Sequence, residues 1–329
     1  MTEWLMADEP VPSGYGLRIT HYESMKNTGI DRAALERFIE EQIYTLPGTE
    51  RHREEFSIVL TGSRAMGLHA EDSDVDLDIL CPKDVFDCIQ RASLEKGLIK
   101  TPDSFFGGLK EDVWPKYCGR SLGWPYYSIL PLEDIERQFR EYDDVALWIW
   151  SNALIIADPE GRFKRMQEGF KGYPRDVLIR KIKYRWLRAW YWAIEVYPHH
   201  HGDDNALLPA GSAILMTVNE LLRFFYLVEG KPFPNDKRLV SLVGETKLGK
   251  EFQPALQEAV DLVVGKAEPE LSPWERLGKA FDLVACEDDG GFYQACASSM
   301  LEAGVDPKWV EADFENIHEL LTGSLGPPP

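Results

Sequence analysis

Positive charge is scarce in this chain of 329 residues. It has 36 lysines and arginines against 55 aspartates and glutamates, which leaves a formal net charge of −19. A body with this much negative charge repels a phosphate backbone, so we expect no nonspecific binding of nucleic acid. A small local phosphate site is still compatible with this charge.

Cysteines and long apolar runs are also few. The five cysteines are an odd number and none belongs to a CxxC motif, so neither a disulfide framework nor a zinc knuckle is favoured. No apolar run approaches the ~20 residues that a membrane span needs. The acidic N-terminal segment lacks the basic stretch of a signal peptide. We therefore expect a cytoplasmic protein with reduced thiols and no membrane partner.

The length and the hydrophobic pattern predict two domains, since ~150 residues per domain is usual. A mostly apolar run at 56–61, an alternating segment at 75–80 and the segment at 124–130 predict strands. The chain from residue 175 onward shows long helical patterns with almost no alternation. The predicted helices lie over 32–44, 83–96, 132–142, 145–150, 175–197, 206–229, 251–264, 272–287, 289–303 and 307–321. The fold class is therefore α+β: a small mixed sheet with helices over residues 1–172, followed by an all-α helical bundle over residues 173–329.

Residues 60–80 combine two kinds of polar group. Gly62 ends a buried strand and lets the backbone approach a ligand, Ser63 adds a hydroxyl, and the amides of the following turn suit a phosphate. Asp74 and Asp76 then fall on one face of the next predicted strand. Two such carboxylates repel each other unless a cation lies between them, and oxygen ligands of this kind suit Mg²⁺. Either half alone is common without a ligand; the two together indicate a site for nucleotidyl transfer.

At this point the sequence resembles a known family. Thr61-Gly-Ser63 together with Ser73-Asp-Val-Asp-Leu-Asp-Ile79 resembles the signature of the DNA polymerase β-type nucleotidyltransferase superfamily. A catalytic domain followed by a helical bundle is similar to the aminoglycoside nucleotidyltransferase branch. The turn at 157–162 and the segment at 227–239 are weaker points of similarity. The resemblance covers roughly residues 30–240 and is specific over 60–80.

This resemblance implies roles for particular residues. Asp74 and Asp76 would be the catalytic residues and would hold Mg²⁺. The nucleotide would be bound by Gly62, Ser63, Arg64 and Ser73. Independently of the resemblance, Lys181 and Lys237 of the second domain are further candidates for nucleotide binding, because they are cations in an acidic chain. Lys181 lies on one helical stripe with Arg185 and Arg188, which suits a triphosphate; the alternative is a helix face whose cations pair with surface acids.

Two acidic features stay open from the sequence. Asp78 is an extra acid on the strand of Asp76, and it is either a neighbour that supports the metal ligands or a solvated acid near the strand end. Members of the family usually carry a third carboxylate on a neighbouring strand, yet residues 124–130 contain none. The nearest acids in sequence are Glu111, Asp112, Glu133 and Asp134.

The predicted function is that of a Mg²⁺-dependent nucleotidyltransferase. It would move AMP from ATP to a hydroxyl of a small acceptor and release pyrophosphate. The acidic body favours a cationic acceptor such as an aminoglycoside. The alternative is a catalytically silent module of the same fold that binds nucleotide or a partner. We expect the cleft to lie between the two domains, where Ser63, Asp74 and Asp76 face the first helix of the bundle.

Overall fold

The computed structural model describes residues 28–70, 73–98, 125–200, 204–285 and 291–325. By its contacts the chain divides into two compact units, Met1–Arg137 with Trp150–Gly169, and Gln138–Ile149 with Phe170–Pro329. The division into domains at residues 172 and 173 stays a prediction. Over the described ranges, no helix combines the length and the apolar composition needed to cross a membrane.

The first unit is built on a mixed sheet whose described strands are β1 Ser57–Thr61, β2 Val75–Cys81, β3 Pro125–Pro131 and β4 Leu154–Ala157. Their order is β3-β2-β1-β4. β1 is antiparallel to both β2 and β4, whereas β2 and β3 are parallel. The helices of the N-terminal part are α1 Arg32–Phe38, α2 Gly62–Ala65, α3 Lys83–Glu95, α4 Leu132–Arg140, α5 Asp144–Ser151 and α6 Arg162–Gly169. Most of α5 belongs to the second unit.

The two faces of β2 differ in polarity, as its alternating sequence predicts. Val75, Leu77 and Ile79 are buried in one apolar cluster with side chains of α1, α3 and β1. Fully burying such a side chain is worth about 1.5–3 kcal/mol, so this cluster holds the strand in register. The opposite face carries Asp76 and Asp78, and the site lies on that face.

The second unit is helical in its described part. Its helices are α7 Arg175–Trp190, α8 Tyr197–His200, α9 Leu207–Leu227, α10 Asp236–Leu242, α11 Lys247–Val263, α12 Pro273–Ala285, α13 Gly291–Glu302, α14 Pro307–Ala312 and α15 Ile317–Leu321. The largely buried α9 packs against α7 and α11, and the buried side chains form one cluster. A mixed sheet with helices followed by a helical region confirms the predicted fold class.

The helix boundaries differ from the predicted ones where the backbone is locally irregular. The helix predicted over 175–197 is interrupted by a π-helical turn at Tyr191–Val196. Pro198 follows this turn, and because proline lacks an N–H and clashes with the preceding turn, the backbone widens before it. Helix α10 was not predicted; two prolines precede it, and only tertiary packing shows that Leu239 and Leu242 are buried.

Candidate active site

The turn after β1 lies directly against a carboxylate of β2. Gly62 follows the last residue of β1 and has a φ of +66°, a conformation that L side chains rarely adopt. A Cβ at this position would lie 1.9 Å from Asp76 Oδ2 and 2.8 Å from Asp76 Cγ. Only glycine both adopts this positive φ readily and leaves room for the carboxylate. The structure thus brings the Gly62–Ser63 turn and the Asp76 carboxylate together.

The two acids predicted to share a strand face have different settings. Asp76 is half-buried within β2 and pairs in register with Thr61 of β1. Asp74 is exposed and lies just before β2, which begins at Val75. Asp74 is not paired with a residue of β1 or β3. The β1–β2 pairing ends at Asp76, and the β2–β3 pairing begins at Val75. Strand alternation therefore does not place Asp74, and its alignment with Asp76 stays a prediction.

Asp78 is a half-buried, hydrogen-bonded acid. Thr61 Oγ1 donates to Asp78 Oδ2 at 2.8 Å, and Ser128 Oγ of β3 donates to Asp78 Oδ1. Burial raises the pKa of the Asp78 carboxyl, and the bonds from Ser128 and Thr61 oppose that rise. These contacts favour the interpretation of Asp78 as an acid that supports its neighbours over that of a solvated acid near the strand end.

Arg64 and Ser73 organise the loop between the turn and the acids. Arg64 is only 1% exposed. Its guanidinium donates to the Ser73 carbonyl at 3.0 and 2.8 Å and to the Thr28 carbonyl at 2.9 Å. The hydroxyl of Ser73 accepts a bond from the Ala70 N–H at 2.8 Å. These contacts support a structural role, while nucleotide binding by Arg64 and Ser73 stays a prediction.

The two lysines predicted to bind nucleotide have contrasting environments in the second unit. Lys181 is 1% exposed, and its Nζ lies 2.9 Å from Asp144 Oδ2. Lys237 is exposed on α10. Farther along α7, Arg185 pairs with buried Glu220 at 2.8 Å. The cations on α7 thus pair with carboxylates, as in the alternative stated for this stripe, but Asp144 and Glu220 are buried and are not surface acids. Nucleotide binding by Lys181 and Lys237 stays a prediction.

The acids considered as a third carboxylate have other partners or lie outside the described residues. Glu133 Oε1 accepts the N–H of Lys83 at 3.1 Å, at the start of α3. Asp134 pairs with Arg137 at 3.1 Å. Glu111 and Asp112 fall in the part of the chain that the structure does not describe. Across the described ranges, no group of three or more His, Cys, Asp or Glu side chains is placed to hold a metal ion.

Residues 49–143 match the family model of the nucleotidyltransferase domain. The matched segment includes the Gly62–Ser63 turn, Asp74 and Asp76. The chain therefore contains a nucleotidyltransferase domain of the polymerase β-like type, which confirms the broader part of the resemblance. Membership of the aminoglycoside branch stays a prediction.

No curated protein matches the whole chain. Among solved structures it is similar to the nucleotidyltransferase-like protein from Exiguobacterium sibiricum 255-15, at 11% sequence identity and a TM-score of 0.40. The alignment covers 88% of this chain and 92% of that chain.

Proposed function

We propose that this protein is a Mg²⁺-dependent nucleotidyltransferase that moves AMP from ATP to a hydroxyl of a small acceptor and releases pyrophosphate. The contact between Gly62 and the Asp76 carboxylate carries this proposal. It places a turn suited to phosphate beside a carboxylate suited to a metal, inside the segment that matches a nucleotidyltransferase domain.

The residues at the turn fit a hard divalent cation. Asp74 and Asp76 offer only carboxylate oxygens, and the space that a Cβ of residue 62 would fill is occupied by Asp76 Oδ2. Mg²⁺ is commonly held by one or two carboxylates, with waters and substrate phosphates completing its ligands. Asp74 and Asp76 would hold the ion in this way. When bound, it neutralises phosphate charge and orients the attacking and leaving oxygens.

The other residues of the turn bind and position the donor. Gly62 permits close approach of the phosphates, and the hydroxyl of half-buried Ser63 donates to a phosphate oxygen. The Ser63 carbonyl accepts the Leu68 N–H at 2.9 Å, which fixes the turn. Arg64 holds the carbonyl of Ser73, the residue just before Asp74. We therefore assign Arg64 to positioning the metal-binding loop.

The proposal also concerns which acceptor the protein uses and whether it is catalytically active. The net charge of −19 favours a cationic acceptor that carries hydroxyls, such as an aminoglycoside. One observation favours the alternative of a silent nucleotide-binding module: β3 carries no carboxylate, and Ser128 stands opposite Asp78. Pyrophosphate release separates the two, because a silent module would bind ATP without producing it.

The experiment combines a screen with a matched pair of variants. Pyrophosphate release is measured with Mg²⁺, each nucleoside triphosphate, and a panel of cationic and neutral hydroxyl-bearing acceptors. Asp76→Asn should reduce Mg²⁺-dependent ATP affinity and turnover by about 100-fold or more, because metal ions supply several kcal/mol of charge stabilisation. Asp84→Asn, which changes an exposed acid in the first turn of α3, should leave both unchanged.

Two results would contradict the proposal. Asp76→Asn could retain wild-type Mg²⁺-dependent ATP affinity, which would remove the metal role. It could also unfold the protein in a urea titration, as a core substitution would. Folding should instead hold, since the change preserves shape and removes one of two neighbouring negative charges.

A further inference from the structure

One carboxylate links three strands on the face that carries Asp76. Asp78 belongs to β2, and it accepts hydrogen bonds from Thr61 of β1 and Ser128 of β3. Ser128 stands directly opposite Asp78 in the parallel pairing, while Thr61 stands opposite Asp76 and reaches Asp78 diagonally. Through its hydrogen bond with Thr61, Asp78 thus links the end of β1 to β2, the strand that carries Asp76.

The hydrogen bond that the Thr61 hydroxyl makes to Asp78 replaces the capping bond expected at its position in the chain. Thr61 occupies the N-cap position of α2, where a threonine hydroxyl normally accepts a bond from an amide of the first helical turn. Here it makes no such capping bond and donates to Asp78 instead, at a separation of 17 residues. Thr61 is 6% exposed, so its side chain is held by tertiary structure.

The hydrogen bond from Thr61 to Asp78 lies one residue from Gly62, which approaches the Asp76 carboxylate. Gly62 follows Thr61 directly, and the space that a Cβ of residue 62 would fill is occupied by the Asp76 carboxylate. A shift of Thr61 would carry Gly62 and Ser63 with it. Ser128 bonds to the other oxygen of the same carboxylate, but it lies on β3, on the far side of β2 from the turn.

We propose that Thr61 is a positioning residue that acts through Asp78, holding the Gly62–Ser63 turn against Asp76 so that the turn can receive the triphosphate. This inference rests on the proposed function, because the triphosphate is its ligand. It concerns the placement of the turn and requires no change in the charge of any group.

The two hydroxyls bonded to Asp78 supply a matched pair of variants in the full-length protein. Thr61→Val keeps the side-chain volume and removes one donor, and Ser128→Ala removes the other donor from the same carboxylate. Thr61→Val should weaken Mg²⁺-dependent ATP binding by about tenfold, because a displaced turn loses roughly one hydrogen bond to a charged phosphate. Ser128→Ala should weaken it by less than about twofold, and Thr61→Ser, which retains the hydroxyl, should restore it.

A control variant distinguishes a positioning role of Thr61 from a general loss of stability. Thr217 is a buried threonine in the helical unit whose hydroxyl donates to the Ala213 carbonyl. Thr217→Val should lower the free energy of unfolding without changing ATP affinity. If Thr61→Val, Ser128→Ala and Thr217→Val all weaken ATP binding equally, the role of Thr61 is merely structural and the inference is overturned.

A second readout keeps the inference independent of nucleotide binding. Amide hydrogen exchange over residues 62–70 should be faster in Thr61→Val than in Ser128→Ala, because only the former releases the turn. If the wild type binds no nucleotide, the proposed function fails while exchange still decides whether Thr61 holds the turn. Equal exchange in the two variants overturns the inference even if the wild type binds ATP.

Discussion

Replacing Gly62 by alanine tests how closely the turn and the Asp76 carboxylate must approach. The new Cβ would lie 1.9 Å from Asp76 Oδ2, far inside van der Waals contact, so the carboxylate must swing away. The φ of +66° adds a backbone cost of roughly 1–2 kcal/mol for an L side chain. We expect a loss of at least this size in the free energy of unfolding, together with a loss of Mg²⁺-dependent ATP affinity.

Gly67 provides a control with the same backbone conformation. Its φ is +68°, and a Cβ there would meet nothing within 4 Å. Gly67→Ala should therefore lose the same roughly 1–2 kcal/mol of stability while ATP affinity is retained. The difference in affinity between the two alanine variants measures the displacement of Asp76, because the strain of the left-handed backbone is common to both.

The size of the functional effect follows from the role proposed for Asp76. A loss of about 3 kcal/mol of charge stabilisation corresponds to roughly 100-fold in rate or affinity, since 1.36 kcal/mol is tenfold. The assays are urea unfolding, ATP titration with and without Mg²⁺, and pyrophosphate release. The reasoning is refuted if Gly62→Ala binds ATP like the wild type, or if Gly67→Ala loses affinity to the same extent.

Two further predictions concern buried groups away from the turn. Lys181→Met leaves the buried Asp144 carboxylate without its ammonium partner, so urea titration should show that the free energy of unfolding falls by about 3–5 kcal/mol. The double variant Lys181→Met with Asp144→Asn should lose less. An unchanged stability of the single variant would contradict the pairing. Burial raises the pKa of the Cys81 thiol to about 12, so at pH 8 it stays protonated and unreactive. Iodoacetamide should then label exposed Cys88 and spare Cys81 in peptide mapping by mass spectrometry, and comparable labelling of both would contradict the burial of Cys81.

Much of the fold and part of the site could be predicted from local sequence. The alternation of apolar and acidic residues along β2 predicts which face is buried, because side chains of a strand point to opposite faces. The same alternation marks Asp76 as a polar residue at a strand face. The order of a strand, Gly-Ser and an acidic strand is also a local pattern, and it leads to the nucleotidyltransferase domain that the family match supports.

Partners far apart in sequence could not be predicted in this way. Lys181 carries a charge that suits a triphosphate, but its partner is Asp144, 37 residues away. Arg64 lies within the signature, yet its guanidinium binds the carbonyl of Thr28 across 36 residues. A side chain's chemistry states what it can bind, and only the packing of the chain decides which partner reaches it.

The sequence by itself determined the fold class, the turn at Gly62 after β1, and the strand face of β2 that carries Asp76. Only the tertiary structure decided that Gly62 lies against Asp76 and that Asp78 joins β1 to β3, the latter through a bond from Ser128 that spans 50 residues. The physical reason is that strand periodicity is set by each residue's own backbone, whereas strand register and cross-strand contacts depend on which segments pack together.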